Sequence, residues 1–161
     1  MCDLNNEINI LILGIDIGLF NYVDAKRWAD SVIERQCSVS DSIYDIAFLS
    51  STEGYKLKSL LYQIRKPEIT TKELPQILGI FYHRIIKKEI NIKDAMDILY
   101  NIIHQEYYLD LNMDCRELKD IFYITTESDL TYINGEMEMQ KRVINRLINY
   151  GPYYNKMSFK L

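Results

Sequence analysis

The sequence predicts an all-α protein, a compact multi-helix bundle of about eight helices forming a single helical domain over residues 1–161. Three observations carry this. Apolar residues recur at i, i+3, i+4 and i+7 spacing in one segment after another, the period of a helix that buries one face. Cap-forming residues, among them Asp24, Ser40 and Asn91, stand at the heads of these stripes, and prolines or Gly-Pro close them. The links between stripes are short and polar, with no internal repeat or low-complexity tract.

The first segment admits two readings. Ile8, Ile10 and Ile12 alternate like a strand, whereas Ile8, Leu11, Ile12, Ile15 and Leu19 form a helical stripe. The continuation decides for the helix, because the chain passes directly into a second helical pattern around Trp28. Asp24 is expected to cap that second helix, with Ala25, Trp28, Ala29, Val32 and Ile33 on its core face. Val23 and Trp28 are spaced for a hydrophobic staple.

Ser40 then caps a short helix carrying Ile43, Ile46 and Ala47. After Ser50-Ser51-Thr52 a further helix presents Leu57, Leu60, Leu61 and Ile64 and ends at Arg65-Lys66-Pro67. The Lys66–Thr71 break divides two halves of the bundle. The next helix begins near Leu74-Pro75, with proline in its first turn, and runs through Ile77, Leu78, Phe81 and Ile85. Asn91 and Asp94 open another, with Ala95, Ile98, Leu99, Ile102 and Ile103 on one face. Asp114 and Glu117 make a capping-box pattern ahead of Leu118, Ile121 and Phe122. Residues 124–135 have strand-like propensity at Thr125, Thr126, Thr131, Tyr132 and Ile133, which leaves room for one short extended segment. The last helix carries Val143, Ile144, Leu147 and Ile148, and is expected to stop at Gly151-Pro152.

Composition narrows the function classes. With 48% hydrophobic and 26% charged residues in 161, the chain can bury roughly 70% of its unfolded surface and is not a disordered polymer. No apolar run approaches the roughly 20 residues that cross a bilayer. The start, Met1-Cys2-Asp3-Leu4-Asn5, has no basic stretch ahead of an apolar one, so no secretory signal is expected. Cys2, Cys37 and Cys115 are odd in number and far apart, which fits a reducing cytoplasm better than a disulfide framework. A net charge of −4 argues against direct nucleic-acid binding.

The charge is unevenly placed. From Asp110 to Glu138 the acids are Asp110, Asp114, Glu117, Asp120, Glu127, Asp129, Glu136 and Glu138; only Arg116 and Lys119 oppose them, leaving −6. From Lys141 onward the tail holds Arg142, Arg146, Lys156 and Lys160 and no acid. Thirteen tyrosines add residues that interfaces favour as anchors. A partner-binding surface is therefore expected on Tyr107, Tyr108, Asp110, Asp114, Asp120, Tyr123, Glu127, Asp129, Tyr132, Glu136 and Glu138.

One pattern in the chain bears on catalytic chemistry. Gly14-Ile15-Asp16-Ile17-Gly18 resembles the opening turn of ribonuclease H-like nucleases and the first phosphate loop of actin-like ATPases. That resemblance implies a carboxylate, Asp16, holding Mg²⁺. Against it, position 19 is Leu where a phosphate turn places Thr or Ser, and no hairpin returns after the motif. The helical reading makes Gly14 and Gly18 a place for close approach of a neighbouring helix and leaves Asp16 solvent-facing or capping. His83 and His104 each stand alone, without ligand spacing. No catalytic, cofactor-binding or metal residue is assigned, and no cofactor is expected.

A family resemblance enters on residues 8–64. An apolar first helix leads to Leu19-Phe-Asn-Tyr-Val-Asp24, then to the helix Ala25-Lys-Arg-Trp-Ala-Asp30 ending in Ile33-Glu-Arg35, then to Ile43-Tyr-Asp-Ile-Ala-Phe-Leu-Ser50. This is similar to helical immunity proteins of bacterial polymorphic and contact-dependent toxin systems. Glu127-Ser-Asp-Leu-Thr-Tyr-Ile-Asn-Gly135, leading into the final helix, is similar too, and the two stretches cover about half the chain. The resemblance implies a cytoplasmic protein, monomer or weak homo-oligomer, that binds one cognate toxin protein domain and blocks it. It carries over no functional residue. The alternatives are an Mg²⁺-dependent nuclease using Asp16 and a helical regulatory or assembly subunit.

Overall fold

The computed structural model describes residues 4–35, 39–65, 73–104 and 135–155. Among them every regular element is helical and none is a strand, as the periodicity predicts, and the number of helices is close to the eight expected. The capping pattern at Asp114 and the extended stretch expected over 124–134 lie outside the described residues; Gly135 itself opens a helix. The chain divides into two compact units, Met1–Ile69 with Met157–Leu161, and Thr70–Lys156. The division falls within the Lys66–Thr71 break.

In the first unit, α1 (Leu4–Asp16), α2 (Tyr22–Glu34) and α3 (Asp41–Ala47) precede a 3₁₀ segment (Ser51–Lys56) and α4 (Leu57–Ile64). The sequence assigns α1 a single apolar stripe, yet Ile10 and Leu13 are as completely buried as Ile8, Leu11 and Ile12. A helix apolar on all sides is a core helix. The carboxylate of Glu7 is fully enclosed and needs compensation. Trp28 of α2 supplies an N–H at 2.9 Å, and Arg35 at the end of α2 clamps both oxygens at 2.8 Å. Trp28 is thus a core residue with its polar edge satisfied.

The entry to α2 differs from expectation by one helical turn. Asn21, rather than Asp24, is the N-cap: its Oδ1 accepts from Val23 N–H at 2.8 Å and Asp24 N–H at 3.4 Å. Asp24 is the third helical residue and reaches back to the Asn21 N–H at 2.9 Å, completing a capping box. Both residues are good cap formers, so local preference alone does not separate them. The staple expected from Val23 is absent, because Val23 is exposed. α3 packs on α2 and on α4, with Ile43 and Ile46 buried and Ser40 at its N-cap.

The second unit comprises α5 (Glu73–Ile86), α6 (Ile92–His104), α7 (Gly135–Leu147), a 3₁₀ turn (Ile148–Tyr150) and α8 (Gly151–Asn155). The expected core faces of α5 and α6 are all buried, from Ile77, Leu78, Phe81 and Ile85 to Ala95, Ile98, Leu99, Ile102 and Ile103. The expected stop at Gly151-Pro152 does not occur. Gly151 is right-handed helical (φ −48°, ψ −43°) and the chain continues as α8. Proline in a first turn begins a helix as readily as it ends one. Glycine at 151 answers a packing need, since a Cβ there would lie 2.9 Å from the Tyr82 ring. Gly79 of α5 serves the same contact, with an added Cβ 2.7 Å from the Tyr150 carbonyl. Between them α8 lies directly on α5, where the Tyr154 ring stacks on His83 at 4.2 Å.

α5 ends in a Schellman motif. Lys88 N–H bonds the Ile85 carbonyl at 3.0 Å, and Glu89 N–H bonds the Arg84 carbonyl at 2.9 Å. The residue at the left-handed position is Lys88, with φ +59°, where glycine is the usual occupant.

Candidate functional site

Of the eleven residues expected on a partner surface, Tyr107, Tyr108, Asp110, Asp114, Asp120, Tyr123, Glu127, Asp129 and Tyr132 lie outside the described residues. Glu136 and Glu138 are described. Both sit in the first turn of α7, exposed, where a carboxylate is favoured by the helix dipole. Glu138 pairs with Arg142 one turn on, at 3.4 Å. Two residues apart on a helix, the two carboxylates do not face each other.

The Gly14–Gly18 segment is a helix C-terminus. Gly18 N–H bonds the Ile15 carbonyl at 3.1 Å and Leu19 N–H bonds the Gly14 carbonyl at 2.7 Å, a Schellman motif with Gly18 at φ +81°. Gly14 does not admit a neighbouring helix, as the sequence suggested; it admits Phe20, whose ring atoms stand as close as 2.0 Å to where a Cβ would be. Asp16 is enclosed rather than solvent-facing. Its side chain is only 6% exposed and is ion-paired with Lys58 of α4. The backbone N–H groups that a phosphate loop would offer are spent on the helix end, and the carboxylate that would hold a metal is neutralised by an ammonium.

The two histidines have structural neighbours. His83 lies against Tyr154 with Nε2 3.3 Å from the Gly151 carbonyl, and His104 stacks on Tyr100 at 4.0 Å. Among the described residues no three His, Cys, Asp or Glu side chains converge as a metal site.

The feature with the character of a binding site is a groove in the first unit. Its volume is about 380 Å³, and Asp45, Phe48, Leu49, Glu53, Lys56 and Leu60 line it. Phe48 is the C-cap of α3 and is 82% exposed; Tyr55, in the 3₁₀ segment, is 79% exposed. Phe48 is not held out by a loose loop. Its N–H bonds the Tyr44 carbonyl at 3.1 Å, the adjacent Leu49 is buried, and Lys26 of α2 donates to the Leu49 carbonyl at 3.0 Å. The backbone beneath the ring is fixed from both sides.

The groove is acidic. Asp45 has no ion-pair partner among the described residues. Glu53 accepts from Lys56 Nζ at 2.7 Å and from the Ser50 hydroxyl at 2.8 Å. These two hydrogen bonds, Lys56 first, hold its pKa at about 2, below the usual carboxylate range. Glu53 is therefore charged at neutral pH, and the groove sets two carboxyl groups against one lysine. No residue pattern announces this site. Phe48 follows the Ile43, Ile46 and Ala47 stripe as one more apolar letter, and only the backbone direction after Ala47 turns it outward.

No family model, curated protein or solved structure matches the chain. No helix among the described residues is long and apolar enough to cross a membrane.

Proposed function

We propose that this chain is a binding protein of the immunity type, which neutralises a cognate bacterial toxin domain in the cytoplasm by direct protein–protein contact. The observation that carries the reading is the acidic groove with Phe48 and Tyr55 exposed at it and beside it. An aromatic ring left in water on a fixed backbone is the usual form of an interface anchor, since it brings large apolar area at small entropic cost. Carboxylates around such an anchor favour a basic partner and speed its approach. A phosphate-binding cleft of a nuclease toxin is a surface of that kind. The resemblance of residues 8–64 to immunity proteins points the same way. The acidic segment 110–138 extends the chemistry, with Glu136 and Glu138 exposed to solvent.

The experiment is inspection of the neighbouring gene for a toxin domain, followed by co-expression of that domain with this chain. Restored growth and a purified complex are expected; continued toxicity with no complex overturns the reading. Within the complex, Phe48→Asp is expected to weaken binding by about 2 kcal/mol or more, the scale of an interface hot spot. Asp129→Lys and Glu136→Lys are expected to slow association, most at low salt. If only the latter two act, the toxin docks on the acidic segment and not on the Phe48 groove.

A further inference from the structure

A second groove, in the Thr70–Lys156 unit, has the opposite charge. One wall is the face of α7 formed by Met137, Gln140, Lys141 and Ile144; the other is the end of α5, with Ile85, Ile86 and Lys88. The α7 residues stand at i, i+3, i+4 and i+7, a stripe distinct from the buried Val143 and Leu147. Met137 of this stripe is 61% exposed and Ile144 half-buried, and Ile86 across the groove is 47% exposed. Ile148, one turn beyond Ile144, is exposed as well. The volume is about 300 Å³; Lys88, Met137 and Gln140 also line an adjoining depression, whose far side carries Ile90, Ile92 and the carboxylate of Glu136, so the positive character belongs to the Lys88–Lys141 groove itself.

Lys88 and Lys141 stand on the apolar walls with no ion-pair partner among the described residues. Lys88 occupies the left-handed position that closes α5, where glycine costs least. Its side chain lines both depressions. A strained backbone residue whose side chain lines an open groove directs attention to what that side chain meets.

We infer that this groove receives an amphipathic helix from a partner protein, with apolar residues against Ile86, Met137 and Ile144 and carboxylates reaching Lys88 and Lys141. A wall about two turns long, with apolar ends at Met137 and Ile144, matches in length the i, i+3, i+4, i+7 anchors of a helix laid in a groove. The Lys88 and Lys141 ammonium groups, without an ion-pair partner among the described residues, select the charge of the occupant, since a basic helix would set like charges against them. The inference stands on the groove alone and does not depend on the immunity reading.

The test uses the full chain and a labelled synthetic peptide of about four helical turns, with Leu at i, i+3, i+4 and i+7 and Glu on the flanking positions. Fluorescence anisotropy should show saturable binding, at least about tenfold tighter than for the same peptide with Lys in place of Glu. Lys88→Glu with Lys141→Glu should lower affinity by a further factor of about ten or more, and Met137→Ser should also weaken it. Lys88→Gly, which relieves the backbone while removing the ammonium, should weaken binding with helical content unchanged. Equal binding of the acidic and basic peptides, or an unaffected double charge reversal, overturns the inference. So does self-association of the wild-type chain that Met137→Lys abolishes, because the occupant is then a second copy.

Discussion

Arg35 closes both arms of its guanidinium on the buried carboxylate of Glu7, with Nη1–Oε1 and Nη2–Oε2 each at 2.8 Å. The same carboxylate accepts the Trp28 N–H, so three residues from α1, α2 and its C-cap share one charge. Hydrogen bonding to Glu7 pushes the Arg35 pKa up from its ordinary value. Removing one member of a buried pair leaves the other uncompensated, at a cost of about 3–5 kcal/mol. Arg35 keeps 28% of its side chain in solvent, which reduces that cost. Arg35→Ala is therefore expected to destabilise the chain by about 2–4 kcal/mol in urea melts, and Arg35→Lys by less. A loss under about 0.5 kcal/mol for Arg35→Ala would show that water replaces the guanidinium without penalty.

Gly14 and Phe20 form a second coupled pair. Gly14→Ala places a methyl inside the Phe20 ring envelope, an overpacking that costs about 1–3 kcal/mol. Phe20→Ala is expected to cost about 3–5 kcal/mol by cavity formation. Combined, the two should fall well short of additivity, because the methyl then enters space the ring has left. Strict additivity in a double-mutant cycle would refute the contact.

Lys88 makes a prediction of opposite sign. A left-handed L-residue costs about 1–2 kcal/mol, and part of the gain from glycine returns as unfolded-chain entropy. Lys88→Gly is expected to raise stability by about 0.5–1 kcal/mol in thermal or urea unfolding. Lys87→Gly at the preceding residue should lower it.

Glu53 gives the pH dependence. Its folded-state pKa, about 2, lies below its unfolded value, so its contribution is fully present above the unfolded pKa. It fades as pH falls through the interval down to about 2. Contact with solvent and the screening it brings keep the effect on stability small, so the direct check is the NMR titration of the Glu53 carboxyl. Lys56→Gln should move its midpoint upward. An unchanged midpoint would assign the shift to Ser50 alone.

The fold was legible where it rests on local periodicity. Ala95, Ile98, Leu99, Ile102 and Ile103 lie on one helical face in the sequence and are buried together in α6. What was not legible depends on partners distant along the chain. Lys58, which neutralises Asp16, is far from it in sequence, and nothing near Asp16 announces it. The choice between Asn21 and Asp24 as cap turns on how the chain leaves α1, with Phe20 seated on Gly14. Gly151 has the letters of a helix stop, and its true constraint is the Tyr82 ring. The candidate site shows the same limit: Phe48 is indistinguishable from core residues by type, and its exposure follows from the tertiary path after α3.

The single tryptophan lies in the first unit, sealed among α1 and α2 with its N–H on Glu7. Its emission is therefore a reporter for one half of the molecule, while α5 to α8 contain no indole and are silent in that channel. Helical circular dichroism sums over both halves. Melting curves recorded by the two signals will superimpose if the halves come apart in one cooperative step, and will separate if each has its own melting point.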